Sequence, residues 1–79
     1  MGPPEDDYML WEWELVATMT QQIWLGPRTY EAWVTQRPDG WYMIADYLKK
    51  PQGPYLTYAD AVDAARHALM KRGAKAEGT

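Results

Sequence analysis

Seventy-nine residues, 47% of them apolar and 24% charged, suit one globular domain and leave no room for a second core or a cofactor-binding half. Eleven acidic against eight basic side chains give a formal charge of −3, which disfavours general nucleic-acid binding, because counterion release rewards only proteins that neutralise phosphates. The absence of cysteine excludes disulfides, thiolate zinc sites, iron–sulfur clusters and cysteine nucleophiles together, and a reducing, cytoplasmic setting is expected.

The chain opens acidic, with Glu5, Asp6, Asp7, Glu12 and Glu14 ahead of any base. Residues 1–9 read as a flexible, solubilising lead. No basic segment followed by an apolar run marks a signal peptide. The uncharged stretch that begins at Leu15 is broken by Thr18, Thr20, Gln21 and Gln22, so no membrane span is expected. From Trp11 to Thr20, the residues Trp11, Trp13, Leu15, Ala17 and Met19 alternate with Glu12, Glu14, Val16, Thr18 and Thr20, the period of a half-buried strand. A helix capped by Asp7, with Met9, Trp13, Val16, Thr20 and Trp24 as its stripe, is the alternative for residues 8–22; the β-branched and aromatic content favours the strand. Gly26-Pro27 then punctuates the chain.

Two further strands, Thr29 to Arg37 and Trp41 to Leu48, flank Pro38-Asp39-Gly40, a strong hairpin signal. A type I turn with a bulge at Gly40 sets Arg37 opposite Trp41, Thr35 opposite Met43, Val34 opposite Ile44, Trp33 opposite Ala45 and Glu31 opposite Tyr47. In that register Tyr30, Ala32, Val34, Tyr42, Ile44 and Leu48 form the core face, while Glu31, Trp33, Thr35, Arg37, Trp41, Met43 and Tyr47 share the other.

Pro51, Gly53 and Pro54 end the sheet, and a helix follows. Thr57 with Asp60 resembles a capping box, and Tyr58, Ala61, Val62, Ala65, Ala68 and Leu69 form an apolar stripe. Lys71 and Arg72 suit the last turn, Gly73 the stop, and residues 73–79 a flexible tail. The expected architecture is α+β: a three-stranded antiparallel meander with one C-terminal helix on one face, in a single domain spanning residues 10–72. One helix covers one face, so the other is left open.

Catalytic chemistry finds few groups. His67 with Asp63 one turn earlier is the only imidazole, the chain contains no serine, and a pair of acids on one open strand, Glu12 and Glu14, lacks the facing geometry of a glycosidase. Glu5, Asp6 and Asp7 lack the spacing and glycine of a calcium loop, and no phosphate loop or dinucleotide fingerprint is present. No enzyme activity, cofactor or metal is expected. Lys49-Lys50 followed by A-D-A-V-D-A-A-R-H-A-L resembles the end of a double-stranded RNA-binding domain. That family places its lysines at the start of the last helix, whereas here a Pro-Gly loop intervenes, so the phosphate-gripping element is missing and direct nucleic-acid binding is not expected.

Five Trp and six Tyr with no Phe are an unusual aromatic inventory, rich in the residues that dominate interface hot spots. On the expected open face Trp33, Trp41, Met43 and Tyr47 form an apolar patch of the kind that marks a binding surface. Short length, net acidity, no catalytic set and an aromatic open sheet together resemble, in kind, the small inhibitors made by phages and mobile elements, anti-CRISPR proteins among them. That class shares no motif, so no residue is carried over from it. The resemblance implies a non-enzymatic protein-binding module that blocks a basic nucleic-acid-binding surface of a host complex. The acids of residues 5–14 (Glu5, Asp6, Asp7, Glu12 and Glu14) and Glu31 would stand in for phosphates there, and the tryptophans would act as anchors. The alternative is an accessory subunit or an obligate homodimer whose open face is buried by its own copy.

Overall fold

A computed structural model describes residues 7–77. After a short 3₁₀ turn, Asp7–Leu10, come four strands, β1 (Glu14–Ile23), β2 (Gly26–Arg37), β3 (Gly40–Ala45) and β4 (Gln52–Tyr55), and one helix, α1 (Tyr58–Glu77). The strands form one antiparallel sheet in the order β1-β2-β3-β4. The α+β class and the C-terminal helix are as expected. The fourth strand is not: a short edge strand tolerates the Gly53 and Pro54 that would break a central one. The helix also passes through Gly73, where a stop was expected.

One layer of the core comes from Tyr30, Ala32 and Val34 of β2 with Met43 and Ala45 of β3, and the other from Ala61, Ala65 and Leu69 of α1. Small residues on both layers let the helix lie close to the sheet, and Met43 and Val34 fill the centre. The helix begins as its sequence indicates, with the backbone N–H of Asp60 donating to Thr57 Oγ1 at 3.0 Å. Ala61 and Ala65 are fully buried and Leu69 is 2% exposed, so the anticipated stripe is the docking face.

The β2–β3 register differs by one residue from the expected one. Arg37 pairs with Gly40, Gln36 with Trp41, Thr35 with Tyr42, Val34 with Met43, Trp33 with Ile44 and Ala32 with Ala45. Because side chains alternate, this single step inverts β3. Met43 and Ala45 enter the core, Trp41 packs against it, and Tyr42 and Ile44 move to the outer face. The reason lies at Gly40, which takes part in the ladder with φ of +143°; a Cβ there would sit 2.7 Å from the Pro54 side chain and 2.9 Å from the Tyr55 carbonyl oxygen. Only glycine admits that approach, so the turn closes on Pro38 and Asp39 alone.

A second irregularity sits in β1. Leu15 pairs with Trp33 but Ala17 with Ala32, so Val16 is an extra residue, a bulge. Leu15 therefore faces outward with Trp33, while Ala17 and Met19 face the helix. The unbroken alternation from Trp11 to Met19 conceals this change of phase.

Candidate protein-binding surface

The outer face of the sheet is partly covered by the segment that precedes β1. Trp11 stacks on Trp13 at 5.7 Å between centroids and meets the Tyr42 ring edge-on at 5.2 Å, while the Arg37 guanidinium lies 4.4 Å from the centre of the Trp11 ring. Thr35, buried beneath, donates its hydroxyl to the Glu12 carbonyl at 2.5 Å. The Trp13 indole N–H donates to the Tyr8 carbonyl at 2.9 Å, and the Tyr8 hydroxyl donates to the Lys49 carbonyl. Residues 8–13 thus strap across the sheet from its β1 end to the β3–β4 connection. Of the lead expected at residues 1–9, residues 1–6, with Glu5 and Asp6, lie outside the described residues. The Tyr42 phenol donates to Asp39 Oδ2 at 2.7 Å, and that carboxylate holds its pKa above the ordinary tyrosine value, chiefly through this hydrogen bond.

The anticipated apolar patch does not assemble. Met43 is 2% exposed in the core, Trp41 packs on the helix side against Tyr58, and Tyr47 donates its hydroxyl to the Ala68 carbonyl of α1 at 2.8 Å. Trp33 alone stays on the outer face, half-buried in a row with Leu15 and Ile44. The shifted register is the physical cause for Trp41 and Met43. The three acids are separated too. Glu12 is exposed on the strap itself, Glu14 is exposed on the helix side with its carboxylate accepting from the Tyr58 hydroxyl at 3.4 Å, and Glu31 lies on the outer face.

A different surface carries large apolar side chains into water. β3 accompanies β2 only from Ala32 to Arg37, so Gly26–Glu31 of β2 and Thr18–Ile23 of β1 run on as a two-stranded ribbon. Asp46 closes the ladder where they part: its N–H donates to the Glu31 carbonyl at 3.1 Å, and its carboxylate accepts the Glu31 N–H at 2.8 Å. At the ribbon's tip, Ile23 pairs with Gly26, leaving Trp24 and Leu25 as the whole turn. Trp24 is 92% exposed and Leu25 73%. Turns are ordinarily built from Gly, Asn, Asp and Ser. A Trp-Leu turn ahead of Gly26-Pro27 was the signal in the sequence, overlooked because the Gly-Pro pair marks a turn without saying that its apolar neighbours are the tip.

Remaining chemistry is sparse. His67 Nδ1 lies 2.8 Å from the Asp63 carbonyl oxygen and 3.5 Å from its carboxylate, both side chains 71% exposed, on the rim of a shallow groove between α1 and β4 floored by Met43 and Leu48. Among the described residues no three His, Cys, Asp or Glu side chains converge as a metal site, and no helix is long and apolar enough to cross a membrane. No family model matches the chain, and no curated protein or solved structure does.

Proposed function

We propose that the chain is a non-catalytic protein-binding module that engages its partner through the Trp24–Leu25 turn. The observation that carries this reading is the exposure of both side chains, 92% and 73%, at the end of a paired two-stranded ribbon. Burying two such side chains contributes roughly 3–6 kcal/mol before association costs, and a turn already held by paired strands loses little entropy on docking. Tryptophan is among the residues most enriched at interface hot spots, where it sits in a well-packed, desolvated pocket. The test is a photo-crosslinking amino acid at position 24 in the producing cell, with Trp24→Ser and Leu25→Ser as controls. One crosslinked protein, lost from co-purification with both serine variants while their melting curves match the wild type, supports the reading. Unchanged co-purification removes it.

The finer reading is inhibitory: a partner with a basic nucleic-acid-binding surface, blocked in the manner of anti-CRISPR proteins. It is supported by the net charge of −3 and by the exposed carboxylates of Glu12 and Glu14. Adding the protein should then release nucleic acid from the recovered partner, and Glu12→Lys with Glu14→Lys should slow association. A partner whose nucleic-acid binding is untouched makes the chain an accessory subunit instead.

A further inference from the structure

We infer that β1 is the contact strand of a homodimer, pairing antiparallel with β1 of a second copy about a two-fold axis near Thr20. This goes beyond the reading of the Trp24–Leu25 turn and does not depend on it. The two edges of the sheet are treated differently. β4 is four residues long and contains Gly53 and Pro54, which blunt it against strand addition. β1, the other edge, is ten residues long, and from Leu15 to Ile23 it contains no proline, glycine or charge. The Val16 bulge leaves Ala17–Ile23 regular, with β2 hydrogen-bonded along one side and, among the described residues, no strand added along the other.

An unpaired backbone edge accepts only another extended strand, and this one is complementary to itself. Centred on Thr20, antiparallel pairing sets Thr18 opposite Gln22 of the second copy and Met19 opposite Gln21, so polar side chains meet on the outer face and no like charges oppose. On the helix side the same edge borders a groove lined by Val16, Ala17, Met19, Leu69 and Met70, with Met70 64% exposed at its lip; an added strand lies along this groove. Arg66, also at the lip, is exposed and keeps its guanidinium in water. Seven regular residues span about 23 Å, and with two layers each about 10 Å thick the contact buries roughly 450 Å² per copy. The total, about 900 Å², lies below the ~1,200–2,000 Å² of stable specific interfaces and in the range of transient contacts, so the dimer should be weak and reversible.

Sedimentation equilibrium of the full chain over micromolar to millimolar concentrations tests this. The wild type should show a concentration-dependent dimer. Thr20 is exposed, so Thr20→Lys and Thr20→Glu should each keep the circular dichroism and melting curve of the monomer. Each should weaken association at least tenfold by placing like charges on the axis, and an equimolar mixture of the two should restore it. A wild type that stays monomeric throughout overturns the inference, as does a Thr20→Lys variant that dimerises like the wild type. Capture of a different protein through Trp24 by the monomeric Thr20→Lys variant bears only on the protein-binding reading, so failure of either can be told apart.

Discussion

The ring of Trp41 on β3 meets the ring of Tyr58 in the first turn of α1 edge-on, with centroids 5.2 Å apart and planes at 71°. This pair ties the end of the sheet to the start of the helix and makes Trp41 a folding residue. Trp41→Ala should therefore lower stability by roughly 2 kcal/mol or more, less than the ~3–5 kcal/mol of a fully buried tryptophan because Trp41 is half-buried. Trp24→Ala, at an exposed turn, should stay within about 0.5 kcal/mol. Urea unfolding of the two variants side by side checks the contrast, and reversal of their order would place Trp41 at the surface.

The Gly40 backbone carries the register. Gly40→Val brings a β-branched residue to φ of +143° and a Cβ against Pro54 and Tyr55. The conformational strain alone costs on the order of 1–3 kcal/mol, and the clash with β4 adds to it. Gly53 has the same problem from the opposite strand, with φ of +142° and a Cβ position 2.6 Å from the Trp41 carbonyl oxygen. Either substitution should lower the melting temperature by many degrees; a change of only a degree or two at both positions would falsify the close β3–β4 crossing.

Which parts of this fold could be read in advance follows from where the physical signal is local. The cap at Thr57 and Asp60 and the stripe through Ala61, Ala65 and Leu69 depend on residues within one helix, and all are found as expected. The buried face of β2, Tyr30, Ala32 and Val34, follows from period two within one strand. The β3 face depended on whether Gly40 belongs to the turn or the ladder. That choice was decided by Pro54 and Tyr55, residues distant in the chain. The Val16 bulge is hidden because apolar residues continue on alternate positions through it, and the strap at residues 8–13 because its first residues belong to the expected lead of 1–9 and Trp11 and Trp13 continue the alternation of the strand. The candidate site went with them: Trp41, Met43 and Tyr47 turned inward once β3 shifted, and Trp24 and Leu25 were left as the exposed pair.

Helix docking has a sharp centre and a permissive rim. Leu69→Ala removes a side chain that is 2% exposed and should cost roughly 2–5 kcal/mol. Met70→Glu, at 64% exposure, should leave the monomer's stability nearly unchanged. Ala64 is half-buried against the core, so Ala64→Glu should destabilise despite lying off the central stripe. Thermal melts of the three variants at low concentration test this order, and a silent Leu69→Ala would mean a rotated helix.

The Tyr42–Asp39 hydrogen bond gives the turn a dependence on alkaline pH. The folded state holds the phenol protonated beyond the ordinary tyrosine range, so the interaction stabilises fully below the pKa of an unfolded tyrosine. It is lost as pH rises through the higher folded value, because the phenolate has no proton to donate and repels the Asp39 carboxylate. Asp39→Asn removes the negative charge and should bring Tyr42 back toward ordinary behaviour. Carbon NMR of the Tyr42 ring across an alkaline titration reads this directly. Tyr42 should ionise above the ordinary tyrosine range in the wild type and at lower pH in Asp39→Asn. Identical titration in both proteins would mean that the carboxylate does not hold the phenol.

Trp11 tests whether the strap is structural or a detachable cover. Its ring meets Tyr8, Trp13, Tyr42 and the Arg37 guanidinium, four partners on the strap, β3 and β2. Trp11→Ala removes all four contacts and leaves Arg37 without its aromatic face, which should cost roughly 1–3 kcal/mol, since exposed cation–π and edge-on ring contacts each contribute about 0.5–1.5 kcal/mol. The loss should be local first. Thr35 donates to the Glu12 carbonyl beneath the ring, so exposure of that hydrogen bond to water should accompany displacement of residues 8–13 while the helix-side core stays intact. Hydrogen exchange distinguishes the two outcomes: faster exchange confined to the strap and to the outward amides of β2 and β3 identifies a detachable cover, whereas uniform acceleration that reaches Val34 and Ala65 makes the strap part of the cooperative fold. In the first case Thr35 and Tyr42, which the strap contacts, gain exposure without global unfolding.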